Sequence, residues 1–374
     1  MNINIVRPYL PNVEEIISDL SACLETGMVT NNSQNVRKLE EDLHSFFNCE
    51  LRPLLFCNGE ISLFNLIQAV KLKLGYSLEQ SFDVLVPSFT FSGTINAIVM
   101  NGLSPVFCDV NETLTIDLNK CEKLSDNIKM MIIVGSYGNL PDIDSVIEFS
   151  NRHGLYVIFD NAPAFASKFK NKYVCNYGFS EIYSFHASKI FNTMEGGCVV
   201  TSCEEIHENL CLIRDFGQYE KIRGNVKLPG LNSKMQEISA IVGLKNLQKI
   251  DIILENRKKN ILKYKKYFES EDKVNFFSTM CVKENVECNY LYYPIILKEE
   301  ATNFVNYLQS NGIMVRRYYT AVHRLDFYKN KYKKLNLDFT ELIKDKIVSI
   351  PIHTIMSDEE INYIFSTINN YFKI

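Results

Sequence analysis

Four short stretches of this chain carry side chains that can do chemistry together: "CNGE" (57–60), "SFTF" (88–91), "FDNA" (159–162) and "SFHASK" (184–189). They supply an acid (Asp160), an amine (Lys189) and an aromatic face (Phe91). They also supply a polar turn opening a helix at Asn58, Gly59, Glu60 and Ile61, with the hydroxyl of Ser184. Each is ordinary alone: an Asp ending a strand caps a helix, a lysine there is solvated, and a Gly opening a helix is a turn residue. Together they match the needs of pyridoxal phosphate (PLP). Its aldehyde condenses with a lysine amine, and its ring nitrogen stays protonated beside a buried carboxylate. Its phosphate takes the N–H groups of a helix N-terminus, and its ring stacks on an aromatic face.

The surrounding pattern explains how these residues can meet. After two helices at 13–26, opened by an Asn12–Glu15 capping box and closed by Gly27, and at 34–47, the chain alternates strand and helix. "LLFCNG" runs into a helix at 60–74, and "DVLVPS" (83–88) precedes another at 91–101. "SPVFCDV" (104–110), "KMMIIVG" (129–135), a helix at 142–153, "LYVIFDNA" (155–162), "EIYSFHAS" (181–188) and "GCVVTS" (197–202) follow. Short runs that are apolar on both faces are strands of a mostly parallel sheet between helices, so ligands are expected at their carboxyl ends. A long polar helix at 245–268 then leads to "NYLYYPIIL" (289–297), a helix at 300–311, "IMVRRYY" (313–319), "VSIPI" (348–352) and a last helix capped by Ser357 and Glu360. The expected fold is α/β, with a large domain over 1–250 and a small α+β domain over 251–374.

Composition narrows the function. A net charge of −4 gives no basic field for nucleic acid. "MNINIVRPYL" is too poor in apolar residues for a signal peptide, and no apolar run reaches the roughly 20 residues of a bilayer span, so a cytoplasmic location is expected. The eleven cysteines are odd in number and scattered, with Cys198 and Cys203 the nearest pair, and read as buried thiols rather than disulfides or metal ligands. The six histidines show no H-x3-H spacing, so no metal is expected.

The order of these features resembles the fold-type-I, PLP-dependent nucleotide-sugar aminotransferases of the DegT/StrS type. The pieces that carry the resemblance are "VLVPSFTFSGTINAIVMNGLSPVFCDV", "VIFDNAPAFA", "YSFHASKIFNTMEGGCVVT", "GLNSKMQEISAIVGL" and "VSIPIHTIMSDEEI". The resemblance implies that Lys189 condenses with the cofactor and moves protons, Asp160 meets the ring nitrogen, Phe91 stacks, and Ser184 binds phosphate with Gly59, Glu60 and Ile61. Asn232 in "GLNSKM" matches an asparagine that reaches the phosphate of a neighbouring subunit, which implies a homodimer with shared sites. The pieces "NIVRPYLPN", "TNNS" and "SFHASKIFNTMEGG" are most similar to the branch acting at C4 of dTDP-4-keto-6-deoxyglucose with glutamate as donor, for O-antigen lipopolysaccharide. Substrate contacts are then expected from Thr30, Asn31, His186, Arg316, Tyr318 and His323. A solvated face is the plainer alternative for Arg316 and Arg317.

Two positions depart from the family pattern. Glu60 stands where the cup usually has Thr, and a carboxylate about 5 Å from a phosphate costs roughly 3 kcal/mol per unit charge at an effective dielectric near 20. Swinging to solvent is its alternative, since a Glu in a helix's first turn is favourable by itself. Pro163 stands where Gln or His usually meets the cofactor's phenolic oxygen. Amination at C3 of a dTDP-3-keto sugar, or a non-catalytic nucleotide-sugar-binding relative, remain the alternative functions. Retention of both Lys189 and Asp160 argues against the second, and the lack of G-x-G-x-x-G after any strand argues against a dinucleotide-binding enzyme.

Overall fold

The computed structural model describes residues 1–30, 32–121, 124–219 and 222–373. Among them the largest sheet has seven strands: β1 (Leu54–Phe56), β2 (Asp83–Pro87), β3 (Ser104–Cys108), β4 (Ile128–Val134), β5 (Tyr156–Asp160), β6 (Ser180–Ser184) and β7 (Gly197–Val200). Their order is β1-β7-β6-β5-β4-β2-β3. β3, β2, β4, β5 and β6 run parallel, while β7 is antiparallel to both β6 and β1. β1 therefore points the same way as the parallel strands, and the residues following β1, β2, β5 and β6 leave one edge of the sheet.

β4 shows why the strands read as continuously apolar. Met130 and Ile132 enter one core with Leu66, Ile67 and Ile98, from α3 (Gly59–Lys73) and α4 (Ser92–Met100). Met131 and Ile133 enter the opposite core with Val146 and Phe149 from α5 (Ile143–His153). Alternate side chains thus serve two faces, both covered by helices.

The helices α1 (Val13–Thr26) and α2 (Gln34–Phe47) begin as expected, and Glu15 reaches back to the Asn12 amide. The apolar side of α1 is left largely uncovered: Val13, Ile17 and Leu24 are exposed and only Cys23 is buried. The polar segment read as one helix is two, α7 (Glu237–Gln248) and α8 (Ile250–Phe268), broken at Lys249 with φ −108° and ψ 8°. α6 (Glu204–Ile213) follows β7.

Beyond α8, β8 (Phe277–Thr279), β9 (Tyr293–Leu297) and β10 (Ile347–Ile350) form an antiparallel sheet. It is packed by α9 (Thr302–Ser310) and α11 (Asp358–Phe372), with Tyr264, Phe268, Phe304 and Ile364 in its core. The short α10 (Asp338–Ile343) precedes β10. The run 313–319 forms no strand of its own; it makes single bridges from Ile313 to Ile3 and from Arg316 to Ser349. One further expectation fails. Cys108 and Cys121 form a disulfide, because the chain leaving β3 turns back and brings their Cα atoms to 6.6 Å. A separation of 13 residues gives no hint of that return. Among the described residues no helix is long and apolar enough to cross a membrane.

Candidate active site

A cleft of about 460 Å³ opens at the carboxyl edge of the large sheet, and its lining includes Asn58, Gly59, Glu60, Phe91, Asp160, Ser184 and Lys189. They come from four strand ends or the turns after them: Asn58, Gly59 and Glu60 follow β1, Phe91 follows β2, Asp160 ends β5, and Ser184 and Lys189 lie at and after the end of β6. Lys189 sits on the irregular loop after β6, which is closed by bonds from the Phe185 amide to the Gly196 carbonyl (2.8 Å) and from the Thr193 amide to the Phe185 carbonyl (2.9 Å).

Asp160 ends β5 and is only 6% exposed. It accepts the Thr94 hydroxyl at 2.7 Å and the Ala162 amide at 3.2 Å, and forms no ion pair among the described residues. Burial raises its pKa, while Thr94, Ala162 and the charge of Lys189 oppose the rise. Lys189 is half-buried on the cleft surface, surrounded by protein. Burial lowers its pKa and Asp160 pulls the other way. Both shifts favour the neutral form. A neutral amine is the nucleophilic form of lysine, and a buried carboxylate without a counter-cation is suited to a protonated ring nitrogen.

The anion cup depends on glycine. A Cβ on Gly59 would stand 2.6 Å from the Cβ of Ser184 and 2.9 Å from its Cα, so only glycine lets the start of α3 lie on the end of β6. Gly197, opposite Ser184 in β7, meets the Asn58 carbonyl in the same tight way. Asn58 caps α3 by accepting the Ile61 amide at 2.9 Å. That bond removes Ile61 from the expected anion donors. The amides of Gly59 and Glu60, which have no intrahelical acceptor at a helix start, remain beside the Ser184 hydroxyl. The Glu60 side chain is exposed, with its carboxyl carbon against Gly93, and Phe91 is 60% exposed at the rim. These groups fit PLP: an amine, an unpaired buried carboxylate, an aromatic face and a cup of free amides share one cleft.

The other expected residues divide. His186, Pro163 and Tyr318 line the cleft. Arg316 is exposed and outside the cleft lining, though its charge acts on the lining Tyr292, whereas Arg317 pairs with Asp345 at 3.2 Å. His323 is not brought to the cleft: it is 0% exposed, and both ring nitrogens are engaged, by Ser88 and Glu341. Thr30 and Asn232 are exposed and outside the cleft lining, and Asn31 lies outside the described residues. Sequence reasoning missed Thr94, Glu195, Tyr292 and Tyr319. Thr94 carried a weak signal, a hydroxyl one turn after Phe91. Its partner lies 66 residues away, which no local pattern reveals.

Comparison with known proteins completes the picture. The model of the DegT/DnrJ/EryC1/StrS aminotransferase family matches residues 12–369. The dTDP-4-amino-4,6-dideoxy-D-glucose transaminase of Shigella dysenteriae is 30% identical over 371 residues, covering 97% of both chains. GDP-perosamine synthase of Escherichia coli O157:H7 is 26% identical, covering 99% of both. Among solved structures, PseC of Helicobacter pylori, an aminotransferase involved in pseudoaminic acid biosynthesis, superposes with a TM-score of 0.90 over 100% of both chains at 23% identity.

Proposed function

The chain belongs to the DegT/DnrJ/EryC1/StrS aminotransferase family and is a PLP-dependent nucleotide-sugar aminotransferase; from that premise we propose its particular reaction. It transfers an amino group from glutamate to C4 of dTDP-4-keto-6-deoxyglucose, giving dTDP-4-amino-4,6-dideoxyglucose. The meeting of Lys189 and Asp160 in one cleft carries the amino transfer, and the activity for which the Shigella dysenteriae relative is named supports the choice of sugar.

When bound, PLP supplies an aldehyde that condenses with amines and a ring that takes up the electrons of a deprotonated carbon. The chain's own residues do the rest. Lys189 Nζ, whose neutral form burial favours, takes the proton from Cα of glutamate and later delivers a proton to the sugar carbon receiving the amine. Asp160 holds a proton at the ring nitrogen, oriented by Thr94 and the Ala162 amide. The Gly59 and Glu60 amides and Ser184 would hold the phosphate and Phe91 would cover the ring, while the Glu60 side chain is exposed beside Gly93 at the cleft. His186 and Tyr318 line the cleft, and Arg316, whose charge acts on the lining Tyr292, is exposed; these are the groups offered to the sugar nucleotide.

The functional unit is a cytoplasmic homodimer, in which Asn232 serves the neighbouring subunit's site. Its exposure, and the uncovered apolar side of α1, support a second copy.

Purified protein is incubated with PLP, glutamate and dTDP-, GDP- or UDP-linked 4-keto-6-deoxy sugars, and products are identified by NMR. Borohydride reduction followed by peptide mass spectrometry is expected to place the cofactor on Lys189. Label on another lysine overturns the site, and selective amination of a GDP- or UDP-linked sugar, or amination at C3, overturns the substrate.

A further inference from the structure

A second polar chain, distinct from the groups assigned above, joins Ser88, His323 and Glu341. Ser88 follows β2 and, like His323, is 0% exposed. Its Oγ lies 2.6 Å from His323 Nδ1, and the same oxygen accepts the His323 amide at 3.2 Å. His323 Nε2 lies 2.8 Å from Glu341 Oε1 on α10, and that carboxylate is also held by Arg324. The roles follow from chemistry. A ring nitrogen facing a carboxylate carries the hydrogen, so Nδ1 is the acceptor and the Ser88 hydroxyl must donate to it. Burial keeps the imidazole pKa below its usual value, against the pull of Glu341.

Two strips of chain meet at this contact. On one side Ser88 leads through Thr90 and Phe91 to Thr94, the residue that holds Asp160; Thr90 and Thr94 are themselves 3.1 Å apart. On the other side Ala321 leads back to Tyr319 and Tyr318. The strips are paired by a bridge between Phe89 and Ala321 and by the Val322 amide to the Ser88 carbonyl, 2.9 Å. The ring of Phe89 meets Tyr319 edge-on at 5.9 Å. Thr90, Phe91, Thr94, Tyr318 and Tyr319 all line the cleft; His323 itself does not.

We propose that His323 is a positioning residue, a buried strut that with Ser88 fixes the spacing between the two strips walling the cofactor cleft. The strut acts at one remove, through Thr94 on Asp160 and through the tyrosines on the cleft's far wall. It rests on the placement of PLP proposed above.

The variants separate the two ends of the imidazole. Asn at 323 keeps an acceptor near the Nδ1 position, whereas Gln keeps a donor near the Nε2 position. His323→Asn is expected to bind PLP within about threefold of wild type, while His323→Gln and Ser88→Ala weaken it at least about tenfold, since misplacing reactive groups by about 1 Å is costly. PLP uptake is titrated by visible absorbance well below each thermal midpoint, and the visible circular dichroism of the bound cofactor reports how its ring is held. The expected result is an altered dichroic band in His323→Gln and Ser88→Ala and a wild-type band in His323→Asn. Variants with lowered midpoints but wild-type PLP affinity and dichroism overturn the strut, leaving His323 a packing residue. A wild type whose PLP is reduced onto a lysine other than Lys189 overturns the cofactor placement and the strut with it.

Discussion

Replacing Gly59 by Ala tests whether the start of α3 is the cofactor's phosphate cup. The added methyl would lie 2.6 Å from Ser184 Cβ and 2.9 Å from Ser184 Cα. Ordinary carbon contacts are about 3.5–4.0 Å, so the two segments must separate by roughly 1 Å. β6 cannot yield easily, because Ser184 is paired with Gly197, which is itself pressed against Asn58. The start of α3 must move instead, at an overpacking cost of about 1–3 kcal/mol. An amide displaced by roughly 1 Å from an ideal 2.9 Å leaves hydrogen-bond range. A hydrogen bond to a charged group contributes about 1.5–3 kcal/mol, so losing one weakens PLP binding by roughly 10- to 150-fold. The assay is visible-absorbance titration of apoprotein, with far-ultraviolet circular dichroism to confirm folding. A folded Gly59→Ala protein that binds PLP within about threefold of wild type refutes the assignment of the cup.

Three further outcomes are expected. Asp160→Asn loses PLP affinity and activity yet raises the thermal midpoint of the apoprotein at neutral pH. Burial has raised the native pKa of Asp160, so its contribution is in place at low pH and is lost as pH rises through the folded value; paired melting curves at pH 5 and 8 check this. His353 behaves oppositely: burial, with Arg7 and Arg257, lowers its pKa to about 4. The unfolded chain takes that proton first, so roughly 3 kcal/mol of stability present above the ordinary histidine pKa is lost as pH falls toward the folded value. Urea unfolding of His353→Asn should show a flatter acid limb. Finally, Glu237 is fully buried and caps α2 by accepting the amides of Ser33 (2.6 Å), Asn35 (2.7 Å) and Val36 (3.3 Å). Glu237→Ala should cost roughly 2–4 kcal/mol in urea unfolding, through lost charge-assisted bonds.

The sequence by itself determined the sheet and the edge at which chemistry gathers. Apolar runs alternating with helices leave few options for a parallel sheet, and Asp160, Ser184 and Lys189 follow strands whose direction that pattern dictates. The break at Lys249 was hidden because helical periodicity runs on through it, and the exposure of the apolar side of α1 was hidden because a repeat cannot say what covers it. Tertiary structure alone decided which polar groups are spoken for. His323 was drawn 235 residues across the chain to Ser88, and Thr94 was drawn 66 residues to Asp160. Cys108 and Cys121 met only because the chain turned back. Local pattern reports the period and direction of an element, while a hydrogen bond or disulfide between distant segments depends on where two elements end in space. That is set by packing, which one stretch of sequence does not contain.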